Sequence, residues 1–105
     1  MRSYRRVVPE FIVETFTTCE SAAAAAPRVD DLVRAAERVS EEGAEVRLLV
    51  AILVPEEETC FYLFESSSAD AVRDTLARAQ LGFERMSEAL SARPADARPR
   101  RSDGR

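Results

Sequence analysis

Two glutamates and one arginine are the residues of this chain best suited by type and position to chemistry. Glu14 and Glu65 each lie late in an apolar segment, and Arg47 lies near the start of another. Buried carboxylates usually have a partner, and arginine can bind a carboxylate through two parallel hydrogen bonds. The structural interpretation is that Arg47 neutralises one or both glutamates. The functional interpretation is that the carboxylates bind a metal ion or a polar ligand.

The donor types limit which metal such a site would hold. The chain has no His, which removes the most common general base and transition-metal ligand. Oxygen ligands favour hard divalent ions such as Mg²⁺, Ca²⁺ or Mn²⁺. We therefore expect Glu14, Arg47 and Glu65 as cofactor-binding residues, with Glu14 and Glu65 as the metal ligands. No residue is assigned a catalytic role.

The two cysteines, Cys19 and Cys60, are too few for a disulfide framework. If the first and third strands run parallel, the cysteines lie at opposite ends of the sheet, on the order of 20 Å apart. That separation is beyond disulfide reach. We expect Cys60 to be a small buried hydrophobic residue and Cys19 to be a thiol in a loop without a histidine to activate it.

Apolar periodicity predicts the elements that position these residues. The pattern indicates strands over 11–17, 46–54, 60–65 and 83–90, with Val54 facing Cys60 across a hairpin. A helix beginning at Pro27 and ending at Gly43 follows a short helical turn, and a second helix, capped by Ser67 or Ser68, ends at Gly82. The order βαββαβ is typical of a ferredoxin-like α+β domain. We expect a four-stranded antiparallel sheet in the order 4-1-3-2 with both helices on one face.

Strand parity predicts a second apolar face on this sheet. Alternate residues of a strand point to opposite faces, and a face exposed to water normally alternates to polar residues. The residues assigned to the face without helices are largely apolar: Ile12, Glu14, Phe16, Arg47, Leu49, Leu53, Phe61, Leu63 and Glu65. Such a patch marks an interface or a ligand groove. The simpler interpretation is a sheet-to-sheet homodimer, and the more specific one adds a ligand cavity between the sheets.

Charge divides the chain into three parts. Residues 10–90, the predicted domain, carry a net charge of −10, whereas residues 1–9 and 91–105 carry +3 each, giving −4 for the 105 residues. An acidic domain repels phosphates, so no nucleic-acid partner is expected. We expect a flexible arm over 1–9 and a disordered Arg/Pro-rich tail over 91–105. The sequence shows no secretory signal and no membrane span, so a cytoplasmic location and no membrane partner are expected.

Three segments resemble a known family: Phe11 to Phe16, Val54 to Glu65 and Ser68 to Arg73. They are similar to small ferredoxin-like bacterial proteins formerly catalogued as a domain of unknown function, a group of dimeric α+β barrels with a nickel-binding branch. The resemblance spans residues 10–90 and implies a homodimer with packed sheets and a metal site. Glu14 and Glu65 match motif positions that can contact a ligand. Nickel prefers imidazole or thiolate, so nickel itself is not carried over to a chain without His.

Three functions follow as hypotheses. The first is a non-catalytic dimeric module that binds a metal ion or a small ligand between its sheets. The second is a cofactor-free monooxygenase or isomerase that acts on an apolar or aromatic molecule, with Glu14 or Glu65 as general base. The third is a purely structural partner protein. Neither the ligand nor any reaction can be identified from these residues.

Overall fold

The structure, a computed structural model, describes residues 8–16, 21–92 and 94. Its elements are β1 (Glu10–Thr15), α1 (Ala22–Glu41), β2 (Val46–Val54), a 3₁₀ turn (Pro55–Glu57), β3 (Thr59–Ser66), α2 (Ala69–Arg78) and β4 (Arg85–Ala89). The sheet is antiparallel with the order β2-β3-β1-β4. The predicted βαββαβ fold and sheet order are confirmed. Most of the predicted arm and tail falls outside the described residues.

The core lies between the sheet and the two helices. Both helices direct apolar side chains onto the same face of the sheet, and the large aromatic side chains of β3 fill the space between the layers. Among the described residues, no helix is long and apolar enough to cross a membrane. The innermost side chains come from four elements: Val13, Leu32, Tyr62, Phe64, Val72 and Leu76.

Helix α1 begins earlier than predicted. The Ser21 hydroxyl accepts a hydrogen bond from the Ala24 amide at 3.1 Å and caps the helix, which continues through Pro27. Proline in a helix removes one backbone hydrogen bond, here the bond from position 27 to Ala23. Ala25 is buried at 1% exposure, so the first turn packs against the domain and compensates for that loss. The prediction of a separate turn before Pro27 is wrong.

The end of α1 matches the prediction at Gly43. The Gly43 amide donates to the Ser40 carbonyl at 3.0 Å and the Ala44 amide donates to the Val39 carbonyl at 3.4 Å. These two bonds form a Schellman motif, which requires a left-handed residue after the helix. Gly43 takes that conformation with φ = 115°.

Helix α2 begins as predicted but ends earlier. Of the two predicted caps, Ser68 is the one used, and its hydroxyl accepts a bond from the Ala71 amide. The left-handed residue at the other end is Gln80, with φ = 59°, and the Leu81 amide closes the motif on the Leu76 carbonyl at 2.9 Å. The prediction of Gly82 as the stop is wrong, because a non-glycine residue takes the strained conformation two positions earlier.

One extra residue in β2 shifts its register against β3. Leu48 lies opposite Phe64, but Val50 lies opposite Leu63, so β2 bulges at Leu49. Side-chain parity therefore reverses after the bulge. Leu53 packs on the core, and the prediction that it lies on the outer face is wrong.

The residues that replace Leu53 on the outer face are Val50 and Ile52, which are 44% and 47% exposed. The hairpin pairing, which the turn sets, also differs from the prediction by one residue. Val54 lies opposite Thr59 instead of Cys60. Phe16 follows the end of β1 and is 63% exposed.

Strands β1 and β3 run antiparallel, which overturns the argument about the cysteines. Thr15 at the end of β1 lies opposite Cys60 at the start of β3, and the Thr15 hydroxyl donates to the Cys60 carbonyl at 3.2 Å. The end of β1, which precedes Cys19 in the chain, and the start of β3, which contains Cys60, therefore lie at the same edge of the domain and not at opposite ends. Cys19 itself lies outside the described residues. Cys60 is fully buried, as predicted.

The two internal glycines differ in backbone conformation, so we expect an alanine substitution to have different effects on stability at the two positions. Gly43 has φ = 115°, Gly82 lies outside the left-handed region, and neither has an atom within 4 Å of an added Cβ. Gly43→Ala should lower the free energy of unfolding by about 1–2 kcal/mol, because alanine is strained in that conformation. Gly82→Ala should leave it unchanged or raise it by about 0.4–1 kcal/mol by restricting the unfolded chain. Urea denaturation compares the two, and equal losses would contradict the assigned helix ends.

Candidate functional site

The outer face is the side of the sheet opposite the helices, and its centre is apolar. The central cross-strand row consists of Val50, Leu63, Ile12 and Ser87, one residue from each strand. Cross-strand neighbours in such a row lie about 4.5–5.5 Å apart between Cβ atoms, so the three apolar side chains form one continuous strip. Within this strip Val50 is 44% exposed, and Ile12 and Leu63 are partly exposed.

Glu14 lies in the row on one side of the strip, together with Ile52, Phe61 and Arg85. Its carboxylate is a quarter exposed, and its Oε1 is 3.4 Å from Nε of Arg85. A shallow cavity of about 190 Å³ opens here, lined by Ile12, Glu14, Phe61, Arg85 and Ser87. This cavity combines an apolar floor with an ion pair and a hydroxyl.

Glu65 lies in the row on the other side of the strip. It faces Arg47 directly, and Nη2 of Arg47 donates to Oε1 of Glu65 at 3.0 Å. A hairpin with Val54 facing Cys60 would put Arg47 diagonal to Glu65. The one-residue change at the turn and the bulge at Leu49 together bring the two residues directly opposite each other. The structural interpretation of Arg47 as a partner of one carboxylate is therefore confirmed for Glu65.

The register keeps Glu14 and Glu65 apart within one chain. Glu14 pairs with Phe61, four residues along β3 from Glu65. Four residues of an antiparallel strand span about 14 Å. The structure brings Arg47 to Glu65, but it brings neither of them to Glu14.

Glu10 is the carboxylate that the structure places opposite Glu65, and the sequence argument missed it. Its Oε1 accepts a hydrogen bond from the Ser91 hydroxyl at 2.6 Å. Like charges directly opposite on a sheet repel, and Arg47 next to Glu65 reduces that repulsion. An antiparallel alignment of β1 with β3 puts Glu10 opposite Glu65, so the strand direction would have identified Glu10.

These donors do not form a metal site within one chain. Within residues 8–16, 21–92 and 94, no group of three or more His, Cys, Asp or Glu side chains is arranged to hold a metal ion. Glu65 and Glu14 each have an arginine partner that would compete with a cation. Nickel fits least, because the chain lacks imidazole and the Cys60 thiol is fully buried.

Comparison with known proteins supports the fold. The crystal structure of SCO4226 from Streptomyces coelicolor A3(2) is similar to this chain, with a TM-score of 0.64 and 21% sequence identity. The similarity covers 79% of this chain and 99% of that one. No family model matches the sequence, and no curated protein matches it. At this level of identity the similarity establishes a shared fold and nothing about ligand or activity.

Tyr62 lies beneath the outer face and carries a buried polar atom. Its hydroxyl makes no hydrogen bond of normal distance and angle among the described residues, although the Cys60 and Arg28 side chains lie near enough to act on it. Burial raises the pKa of Tyr62 well above its usual value near 10, with the Cys60 thiol acting in the same direction and the Arg28 guanidinium opposing it. The phenol is therefore an inert, neutral core group and not a candidate acid or base near neutral pH.

The buried hydroxyl makes a prediction about stability. Tyr62→Phe should raise the free energy of unfolding at pH 7 by about 1 kcal/mol, because it removes a polar atom that loses water without gaining a partner. Above pH 10 the wild-type protein should lose stability relative to the variant. The unfolded phenol ionises there while the folded one stays protonated, so the loss reaches about 1.4 kcal/mol per pH unit.

Urea denaturation of both proteins at pH 7, 9 and 11 measures these differences. Tyr4 is present in both, so its titration cancels in the comparison. A variant less stable than wild type at pH 7, with no added difference at pH 11, would show that the hydroxyl has a partner.

Proposed function

We propose that this protein is a non-catalytic homodimeric module that binds a small ligand between two sheets packed face to face. The observation that carries the proposal is the apolar strip on the outer face, with its flanking ion pairs. This is also the arrangement implied by the resemblance to small ferredoxin-like dimeric α+β barrels, and we propose membership of that group. The shared fold with SCO4226 is consistent with this assignment.

The low polarity of the outer face supports the proposed dimer. A sheet covered by helices on one side normally has polar residues on the other. Here Val50 and Ile52 are nearly half exposed, and Ile12, Phe61 and Leu63 lie beside them. Covering them with a second copy would remove this surface from water. The two ion pairs lie in the rows on either side of the strip, so polar groups flank an apolar centre, as in many interfaces.

The cavity beside Glu14 supports the proposed ligand site. In a monomer this hollow of about 190 Å³ is open to water, and a second sheet would enclose it. Ile12 and Phe61 suit an apolar or aromatic group. The Glu14–Arg85 pair and the Ser87 hydroxyl offer both an acceptor and donors, so they suit a polar group on the same molecule. A divalent metal is the alternative occupant and would need Glu10, Glu14 or Glu65 from both copies.

Binding is favoured over catalysis because both candidate bases are engaged. Glu65 accepts a hydrogen bond from Arg47, and Glu14 is held in an ion pair by Arg85. A general base needs a free lone pair within reach of the proton that it removes. The enzyme hypothesis, a cofactor-free monooxygenase or isomerase, would have to use the oxygen of either carboxylate that its arginine does not contact. A cytoplasmic location belongs to the same proposal.

The dimer predicts that a charge on the apolar part of the outer face prevents association. Ile52→Glu should convert the dimer to a monomer, because it would place an unpaired carboxylate in the interface and weaken dimerisation by about 100-fold or more. Val33→Glu is the matched control, since Val33 is 39% exposed on α1, away from the outer face. Light scattering coupled to size-exclusion chromatography at micromolar concentration measures the mass. A monomeric wild-type protein, or a Val33→Glu variant that dissociates equally, would contradict the proposal.

The ligand site predicts that Glu14 controls what the purified protein retains. Mass spectrometry of the solvent extract and elemental analysis of the protein should show a small organic molecule bound to the wild type. Glu14→Gln should reduce its occupancy at least tenfold, because the variant loses the charged partner of Arg85. Glu56→Gln, which changes an exposed carboxylate of the 3₁₀ turn, should retain it.

The outcomes of that comparison separate the hypotheses. If the wild type instead holds a stoichiometric divalent metal that Glu65→Gln loses, the ligand is a metal ion and not an organic molecule. Turnover of a retained molecule that depends on Glu14 or Glu65 would favour the enzyme. Absence of any bound species from the wild type would contradict the binding module and leave the structural partner protein.

A further inference from the structure

The groove between the two helices gathers arginines in an acidic domain. Residues 10–90 contain seven arginines against 17 acidic residues, and three of those seven line this groove together with Asp31. Its volume is about 500 Å³, within the range of small-molecule sites. It lies on the opposite side of the sheet from the proposed dimer interface, so it stays accessible whether or not the protein dimerises.

The walls of the groove come from one stripe of α1 and from the end of α2. Arg34 and Arg38 are one turn apart on α1, and Ala35 and Ala79 leave the floor open because their side chains are small. Arg78 forms the wall at the end of α2. Guanidinium groups one helical turn apart lie on the same face and can contact one ligand together.

Two of the three arginines are held in place by carboxylates. Arg78 donates to Glu42 at 2.6 and 2.9 Å and to Asp74 at 3.1 Å, so its donors are occupied. This contact joins the ends of the two helices, and the Arg78 guanidinium lowers the pKa of the Glu42 carboxyl. Arg34 uses Nη2 to bind Asp31 at 2.7 Å and keeps its other donors.

Arg38 is the arginine with donors to spare. Among the described residues it makes no ion pair within 4 Å, although its charge acts on Glu42 one turn away and suits the C-terminal end of the helix. Five guanidinium donors in a planar fork match the oxygens of a phosphate or a carboxylate. Arg38 and the remaining donors of Arg34 are therefore available to one anionic partner in the groove.

Gln80 adds a polar side chain at the rim of the groove. It occupies a left-handed backbone position, with φ = 59°, where glycine would be less strained. The amide of its side chain can both donate and accept a hydrogen bond. A glycine would lack this group, so the glutamine at this strained position adds a polar side chain to the groove that the backbone conformation does not require.

We propose that the helix groove is a second binding site, for a small molecule with a phosphate or carboxylate group, recognised by Arg38 and Arg34 with Gln80 at the rim. The acidic surface around it repels anions from the rest of the domain and so makes binding selective for this groove. The site is separate from the proposed ligand cavity beside Glu14. Its success or failure is therefore independent of the proposed function.

The test uses inorganic phosphate and succinate as probes on the full chain at constant ionic strength. Arginine Nε–H and glutamine side-chain amide signals are followed by ¹H–¹⁵N NMR during titration. Arg34, Arg38 and Gln80 signals should shift in a saturable manner with phosphate, succinate or both, and the responding probe identifies the acid group. Arg38→Gln should weaken that binding at least tenfold, and Arg34→Gln should weaken it as well. Both side chains are exposed, and circular dichroism checks that the variants fold.

Arg73→Gln is the matched control. Arg73 bonds to Asp70 at 3.1 Å, three residues away, as Arg34 bonds to Asp31, but it lies outside the groove. This variant should bind the probes as the wild type does. The proposal would be overturned by no saturable shift with either probe, by equal binding in Arg38→Gln, or by equal weakening in Arg73→Gln.

Discussion

The one-residue bulge of β2 at Leu49 is the constraint on which the outer face depends. Because the period of a strand is two, one additional residue moves every later side chain to the other face. Before the bulge Leu48 packs on the core, and after it Ala51 and Leu53 do so. Val50 and Ile52 are thereby turned outward beside Leu63 and Phe61. The same shift places Arg47 directly opposite Glu65, so one irregularity determines both the apolar strip and one of its two ion pairs.

A domain of this kind has two distinct surfaces with different chemistry. The outer face is apolar at its centre and ion-paired at its ends, which suits a protein partner and an enclosed ligand. The helix side is acidic overall but contains a groove with three arginines. Arg78 connects α2 to the end of α1 through Glu42, and Asp74 on its own helix holds the guanidinium in place, so Arg78 both stabilises the fold and shapes the groove. Packing a second sheet on the outer face would leave the helix side unchanged, and the two sites therefore act separately.

Much of the fold follows from local sequence signals. The continuous apolar run of β2 predicted its bounds at Val46 and Val54, and Gly43 predicted the end of α1. Other features depend on tertiary packing. Both alternating sets of residues in β2 are largely apolar, so the β2 sequence does not reveal the position of the bulge. The alanine-rich start of α1 stays helical through Pro27 because Ala25 is buried against the domain. At the end of α2, Gln80 takes the left-handed conformation that the sequence alone predicts for Gly82. For the site, the parity of β1 and β3 identified Glu14 and Glu65, but only the antiparallel register shows that Glu65 lies opposite Glu10.

The most direct test of the sheet-to-sheet dimer is an isotope-filtered NOE experiment on the wild-type protein. A mixture of ¹³C-labelled and unlabelled chains reports only contacts between copies. The account predicts intermolecular NOEs from the methyl groups of Ile12, Val50, Ile52 and Leu63, and none from Val33 on α1. Intermolecular NOEs confined to the helix side, or none from the outer face at concentrations where the protein is a dimer, would contradict it.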